Sequence, residues 1–143
     1  MGRPSNQFNC KPMRKLSHTI ALALFFSCAA VEANGISEVS MIQLIATPER
    51  FDGKAIRLIA YLNLEFEGDA LYLHREDFDK GNSKNAVSLL LNDQQTRSAQ
   101  KLSRGYVLVE GVFSSNDRGH FGMFSGSVQR VTRIQSWERR RRK

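Results

Sequence analysis

The amino-acid sequence predicts a mainly β fold, a small five-stranded barrel with a short helix before it and a second helix between strands three and four. Residues 51–73 alternate apolar and polar side chains on either side of a glycine turn, which is typical of two hairpin strands. Three more strand-like segments follow, at 86–91, 106–113 and 126–136. The first strand has about a dozen residues and spans about 40 Å, so it must curl to stay packed. A long, curled first strand followed by a hairpin indicates a closed or partly closed barrel.

A short helix is expected before the barrel. Ser37 is a favourable N-cap, and Ile36 would pack against Met41 as a hydrophobic staple. Thr47 ends the helix, because a residue that precedes proline resists the α region. The apolar stripe of this helix, which would cover one end of the barrel, consists of Val39, Ile42 and Ile45 or Ala46.

The first hairpin begins after Asp52-Gly53 and turns at Glu67-Gly68-Asp69, where glycine accepts a positive φ. The inward positions of its first strand are Ile56, Leu58, Ala60, Leu62, Leu64 and Phe66. The outward positions are Arg57, Ile59, Tyr61, Asn63, Glu65 and Glu67. Leu62→Ala is therefore expected to cost about 2–5 kcal/mol, and the outward Asn63→Ala under about 0.5 kcal/mol. Leu71 and Leu73 continue the alternation in the second strand.

The middle of the chain connects the hairpin to the later strands. Residues 74–85 are polar and rich in turn formers, which predicts a connection with room for a helical turn. The third strand, Ala86 to Leu91, has Val87, Leu89 and Leu91 inward. Asn92 or Asp93 then caps a helix that reaches about Leu102 and packs through only Ala99 and Leu102. Arg104-Gly105 ends this helix.

The last two strands both contain a predicted irregularity. The fourth strand, Tyr106 to Phe113, places Val107, Val109 and Phe113 on one face, and Gly111 marks a bulge or a close approach. A loop rich in glycine, residues 114–125, leads to the fifth strand. The apolar residues of that strand are three apart, which predicts a bulge, and they are Val128, Val131 and Ile134.

The order strand, strand, strand, helix, strand, strand resembles the oligonucleotide/oligosaccharide-binding (OB) fold, a five-stranded Greek-key barrel. The matching segments are PERFDGKAIRLIAYL, ALYL, AVSLLL, YVLVEGVF and SGSVQRVTRI. They are similar to small exported bacterial OB-fold proteins of no settled function. First strands of such domains often carry glycine near the middle, where this chain has Ala60. The resemblance implies a ligand face on strands two and three and on the loops after strands one and four.

Residues 1–33 have the pattern of a secretory signal peptide. Basic residues precede the short apolar block Ile20–Phe26, and small residues precede Ala33. Cleavage after Ala33 would leave a periplasmic or secreted domain at 34–138, and Met13 is an alternative translation start. A membrane span is disfavoured, because it needs about 20 apolar residues. The other alternative is a lipid anchor on Cys28, since residues 25–28 resemble a weak lipobox.

Cysteine content and charge narrow the classes of protein further. Cleavage after Ala33 removes Cys10 and Cys28, the only cysteines, so the exported domain would fold without a disulfide. The chain carries a net charge of +7, but residues 34–138 hold 12 basic and 13 acidic residues, a balance of −1. The tail 139–143 alone carries +5. The overall basic charge is therefore not the electrostatic footprint of a nucleic-acid-binding domain.

Metal-binding and catalytic patterns are weak. Four side chains cluster in sequence, namely His74, Glu76, Asp77 and Asp79, but Gly81 falls where a calcium loop needs a third ligand. A solvated acidic loop is the preferred interpretation, and no metal or cofactor is predicted. His120 has no evident partner that would make it a general base. No spacing demands a nuclease-like role for Asp69, Arg75 and Asp77, so no catalytic residue is predicted.

The outward side chains of the expected ligand face are the candidate binding residues: Tyr61, Asn63, Tyr72, His74, Ser88, Phe121 and Phe124. Aromatic side chains on such a face stack on bases or sugars. The structural interpretation is preferred, because aromatic side chains are mostly structural. In that interpretation Phe121 and Phe124 cover the barrel end, and Tyr72 packs under residues 74–85.

The functional prediction is a non-catalytic OB-fold binding module exported to the cell envelope, with a protein, peptide or glycan as its partner. The first alternative is a single-stranded nucleic-acid-binding protein, but Lys and Arg are not concentrated beside the aromatic residues. The second alternative is an OB-fold hydrolase. The basic tail would be a solvated end that makes weak contact with anionic surfaces, and it consists of Arg139, Arg140, Arg141, Arg142 and Lys143.

Overall fold

The computed structural model describes Gly2, residues 35–65 and residues 68–137. The chain divides into two compact units, Met1–Glu32 and Ala33–Lys143, and every described strand and helix belongs to the second. Apart from Gly2, the predicted signal peptide with Met13, Cys10 and Cys28 lies outside the described residues, as do the turn residues 66–67 and the basic tail 139–143.

The described part of the chain forms six strands: β1 Ser37–Glu38, β2 Ala55–Asn63, β3 Ala70–Tyr72, β4 Ala86–Leu89, β5 Gly105–Ser114 and β6 Ser127–Ser136. The sheet order is β1-β2-β3-β4-β6-β5, and β5 pairs back with β2. The five strands β2 to β6 therefore close into a barrel, in which only the β4–β6 pair is parallel. This closure and strand order confirm the predicted OB-like barrel.

Short helices connect the strands. The α-helices are α1 Met41–Ala46, α2 Arg75–Asp79 and α3 Asp93–Ala99, and 3₁₀ turns occupy Pro48–Arg50, Ser83–Asn85, Gln100–Leu102 and His120–Gly122. The helical turn expected within residues 74–85 is α2, and the helix expected between strands three and four is α3. Asn92 caps α3, since its side chain accepts a hydrogen bond from Gln95 N at 2.9 Å.

The N-terminal helix starts later than the sequence predicts. Ser37 is not its N-cap, because Ser37–Glu38 pair with β2 as the parallel strand β1, and Val39 N donates to Arg57 O at 2.9 Å. Ser40 caps α1 instead: its Oγ accepts from Gln43 N at 3.2 Å, and Gln43 Oε1 accepts from Ser40 N at 2.9 Å.

The buried face of α1 also differs from the predicted stripe. Met41 and Leu44 are fully buried in the main core, whereas Ile42 is 62% exposed. The pairing of β1 fixes the segment before the helix in an extended conformation, so the helix enters the core through Met41. The end of the helix is as predicted, with Thr47 as the C-cap before Pro48.

The barrel interior follows the predicted alternation. All described inward positions of the predicted first strand are buried, namely Ile56, Leu58, Ala60 and Leu62 of β2 and Leu64 just after it. They pack in one cluster with the inward residues of the other strands: Leu71, Val87, Leu89, Val107, Val109, Phe113 and Val128. Ala99 and Leu102 join this cluster from the segment between β4 and β5, as the sequence predicts.

The predicted bulge lies in β6, opposite Gly111. Glu110 pairs with Arg133 and Val112 with Gln129, so three residues of β6 oppose one residue of β5. Arg130, inside the bulge, has a φ of 46°. A Cβ at Gly111 would lie 2.8 Å from the backbone oxygen of Gln129, so the close approach predicted at this glycine is also confirmed.

Candidate ligand site

The candidate site lies on the outer face of β2, β3 and β4. Tyr61 pairs with Tyr72 across β2 and β3, and Ala70 of β3 pairs with both Asn63 and Ser88. Because Leu62, Leu71 and Val87 point into the core, the side chains between them point outward. The four strand residues predicted for a ligand face therefore share one face, as expected.

One end of this face is covered by α2. The Phe78 ring packs on Tyr61 and Tyr72, with ring centroids 6.0 and 5.5 Å apart, and Tyr106 packs on Tyr61 at 5.5 Å. Tyr61 is consequently buried. Burial, and then the negative charge of Glu65, raise the pKa of the Tyr72 phenol. Tyr72 thus packs under residues 74–85, as the structural interpretation of the sequence predicts.

Asp77 organises the segment that carries Phe78. Its carboxylate accepts hydrogen bonds from His74 N at 3.2 Å, Asn82 Nδ2 at 2.9 Å and Asn85 Nδ2 at 2.7 Å. His74 is the N-cap residue of α2, and it is exposed and lies outside the pocket described below. Within residues 35–65 and 68–137, no group of three or more His, Cys, Asp or Glu side chains is placed to hold a metal ion.

The other end of the face is covered by the loop between β5 and β6. Phe124 is buried against Ala70 and Ala86. Gly119 has a φ of 62°, and a Cβ there would lie 2.6 Å from Ser88 Oγ, so only glycine lets the loop come this close. The end of the loop also extends the pairing of β4 with β6, because Ser125 N donates to Ala86 O at 3.0 Å.

A pocket of about 400 Å³ lies open beside the loop between β5 and β6. The loop after β2, the end of β4 and the β5–β6 loop contribute its walls, which are Glu65, Gly68, Asp69, Ser88, Leu89, Leu90, Gly119, His120 and Phe124. Burial raises the pKa of the Asp69 carboxyl, although its Oδ1 accepts a hydrogen bond from Glu65 N at 3.2 Å. The described lining holds two carboxylates and an imidazole, and no Lys or Arg.

Ser88, His120 and Asp69 are residue types that act together in nucleophilic catalysis. That chemistry needs a hydrogen bond from the nucleophile to the base and another from the base to the acid. Within the described residues no hydrogen bond joins the three side chains, and the Asp69 carboxylate bonds to the Glu65 backbone instead.

Phe121 lies beside the pocket and is 86% exposed. Its backbone adopts a left-handed conformation with a φ of 54°, and its ring centroid is 3.9 Å from that of His120. The prediction that Phe121 covers the barrel end is wrong, and Phe124 is buried against Ala70 and Ala86 on the outer face. The left-handed turn keeps the Phe121 ring in solvent, where an aromatic face is available for stacking.

The structure separates the predicted site residues into three groups. Ser88 and Phe124 line the pocket, and Phe121 adjoins it through His120. The other four do not line it: Tyr61, Asn63, Tyr72 and His74. Sequence patterns did not mark the acidic and loop residues of the lining as ligand-binding residues. These residues are Glu65, Asp69, Gly119 and His120. Their position in the sequence could have identified them, because they lie in or beside the loops after strands one and four, which the OB resemblance implies as ligand loops.

Comparisons with protein-family models, with curated proteins and with solved structures each found no match to this chain. Fold and site alone therefore define the class, an OB-like barrel with an acidic pocket on its outer face. In the described part of the chain, no helix has the length and apolar character needed to cross a bilayer.

Proposed function

We propose that the protein is a non-catalytic binding module of the bacterial cell envelope, and that its pocket on the outer barrel face binds a glycan or a peptide segment of a protein. The observation that carries the proposal is the lining of that pocket, with Glu65 and Asp69 on one wall and Ser88 and His120 on the others. The pattern of residues 1–33 supports export.

This lining suits hydroxyl or ammonium groups. Carboxylates accept hydrogen bonds from such donors, and a hydroxyl and an imidazole offer further polar contacts. The exposed ring of Phe121 provides an apolar face beside them, on which a sugar ring or an aliphatic side chain packs. A pocket of about 400 Å³ falls within the usual range for small-ligand sites.

Single-stranded nucleic acid is the less favoured ligand. A strand-binding groove combines Lys and Arg along the backbone path with exposed aromatic rings for the bases. Here the described lining carries carboxylates, which repel phosphates. Tyr61 and Tyr72 pack against Phe78, so their rings are occupied within the protein rather than open to bases. A hydrolase is the third candidate, because no hydrogen bond among the described residues joins the side chains of Ser88, His120 and Asp69.

Ligand titration followed by amide chemical shifts tests the proposal on the compact unit 33–143, which contains every described strand and helix. The probes are a neutral hexose oligomer, an N-acetylhexosamine oligomer, a Lys-containing peptide and a single-stranded oligonucleotide. We expect a sugar or peptide probe to shift the amides of Asp69, Ser88 and His120.

Asp69→Asn should weaken that binding at least about fivefold, because it removes a charged acceptor. Glu49→Gln is the matched control, since Glu49 is exposed in the Pro48–Arg50 turn away from the pocket, and it should leave affinity unchanged. Shifts of the same amides caused by the oligonucleotide alone would refute the proposal in favour of nucleic-acid binding.

A further inference from the structure

A second concave surface, here called the Trp137 groove, lies between α1, β1 and the outer faces of β2 and β5. It measures about 440 Å³, and its lining includes Val39, Gln43, Arg57, Ile59, Leu108 and Trp137. Ile59 is 42% exposed and Trp137 is 50% exposed. The neighbouring Ile42 of α1 is exposed as well. Large apolar side chains left in solvent on one surface mark an interaction site.

The polar groups around the groove already have partners within the protein. Arg57 Nη1 donates to Glu38 Oε1 at 2.8 Å, and Arg57 Nε donates to Glu110 Oε1 at 2.8 Å. Ser40 and Gln43 bond to each other in the capping box of α1. The groove therefore presents apolar surface to an occupant and requires few polar contacts from it.

The chain continues from Trp137 into a strongly basic segment. Trp137 N donates to Tyr106 O at 2.8 Å, which fixes the backbone at this point. Glu138 follows, and then Arg139, Arg140, Arg141, Arg142 and Lys143. Two residues span at most about 7 Å of chain, so the first cation is tethered close to the groove. The sequence therefore places a run of five cations directly after the last residue of the groove.

We propose that the Trp137 groove docks on an anionic lipid surface, with Trp137 and Ile59 at the level of the headgroups, and that the charge of the basic segment makes the contact selective for anionic lipid. Tryptophan prefers this interface, and clusters of Lys and Arg bind anionic membranes. A second copy of the chain is disfavoured as the occupant, because two facing grooves would bring ten tail cations together.

Intrinsic fluorescence reports directly on the groove, because Trp137 is the single tryptophan of the chain. The unit 33–143 is titrated with phosphatidylcholine vesicles and with vesicles of phosphatidylcholine and phosphatidylglycerol at a ratio of about three to one. We expect a blue shift with the anionic vesicles only, and we expect high salt to abolish it, because screening weakens attraction between exposed charges.

Variants separate the groove from the tail. Ile59→Ser should lower partitioning onto anionic vesicles about fivefold through lost apolar contact, and Ile42→Ser on α1 is the second variant should the first not fold. Met123→Ser, which changes another exposed apolar side chain outside the groove, should leave partitioning unchanged. Protein ending at Glu138 should lose binding.

Three results would overturn the proposal. Vesicle binding without a change in Trp137 emission would mean that the tail adheres alone. A blue shift that grows with protein concentration in the absence of lipid would assign the groove to a second copy. Equal losses for Ile59→Ser and Met123→Ser would mean that the groove is not the contact.

Discussion

Asn63 lies on the outer face of β2, next to the inward Leu62, yet its side chain is only 2% exposed. The alternation of a strand decides which face a side chain is on, whereas its burial depends on what packs over that face. The small expected cost of Asn63→Ala assumed an exposed side chain, and that premise is wrong. Asn63 Oδ1 is also the one buried side-chain oxygen without a hydrogen-bond partner among the described residues.

An apolar replacement of similar shape should stabilise the protein at this position. Asn63→Leu removes a buried acceptor that has no partner, so we expect the free energy of unfolding to rise by about 1 kcal/mol. Urea denaturation of the unit 33–143 measures it. A loss of stability would mean that the Asn63 amide makes contacts in solution that an apolar group cannot replace.

Leu62 should behave as a core residue. Leu62→Ala is expected to cost about 2–5 kcal/mol, because the side chain is fully buried in the main cluster and its removal leaves a cavity. Ile59→Ala, three positions earlier and exposed, should cost under about 1 kcal/mol in the same urea experiment. Equal losses would contradict the register of β2.

Four strands meet at Glu110 on the outer face of the barrel. Glu110 of β5 is buried and accepts from Arg57 of β2 at 2.8 Å and from Arg133 of β6 at 3.2 Å, and Arg57 also binds Glu38 of β1. Burial alone would raise the pKa of Glu110. The hydrogen bonds and charges of Arg57 and Arg133 outweigh it, so the pKa lies below its usual value.

The stability supplied by ionised Glu110 should therefore depend on pH. A lowered folded-state pKa contributes stability above the ordinary pKa of a glutamate and loses it as pH falls through the folded-state value. Glu110→Gln should be less stable than the wild type at pH 7, and the difference should shrink below about pH 5. Urea midpoints at several pH values measure this, with Glu49→Gln as the control. A constant difference would contradict the cluster.

Local patterns were enough to predict most elements. Period-two alternation located β2 to β5, apolar residues at every third position located β6 with its bulge, and Thr47-Pro48 located the end of α1. The start of α1 was missed because Ser37 pairs with Ile56, nineteen positions later, and a local cap signal carries no information about that contact. Ser40, which does cap the helix, had an equally suitable side chain.

The candidate site was only partly predictable, because it is assembled from separate loops. The outward positions on β2 and β3 were readable, but the covering of Tyr61 by Phe78 depends on how Asp77 folds residues 74–85. Asp69 and His120 are 51 positions apart in the sequence and meet only through the barrel closure. Sequence patterns favoured aromatic residues, whereas the open part of the face is acidic.

Charge is divided sharply along the chain. Residues 34–138 carry a balance of −1, and residues 139–143 carry +5. Any affinity for polyanions should therefore reside in the tail and should fall steeply with salt, because neutralised phosphates release counterions. With five cations, the log–log salt slope on single-stranded nucleic acid should not exceed about 3.5 in magnitude.

The most direct measurement compares the unit 33–143 with the same protein ending at Glu138, titrated with single-stranded DNA from low to physiological salt. Because the open pocket of the OB-like barrel is acidic, we expect the shortened protein to lose DNA binding and to keep its melting temperature. If the shortened barrel binds DNA with comparable affinity, the outer face is a nucleic-acid site and the binding module proposed here is contradicted.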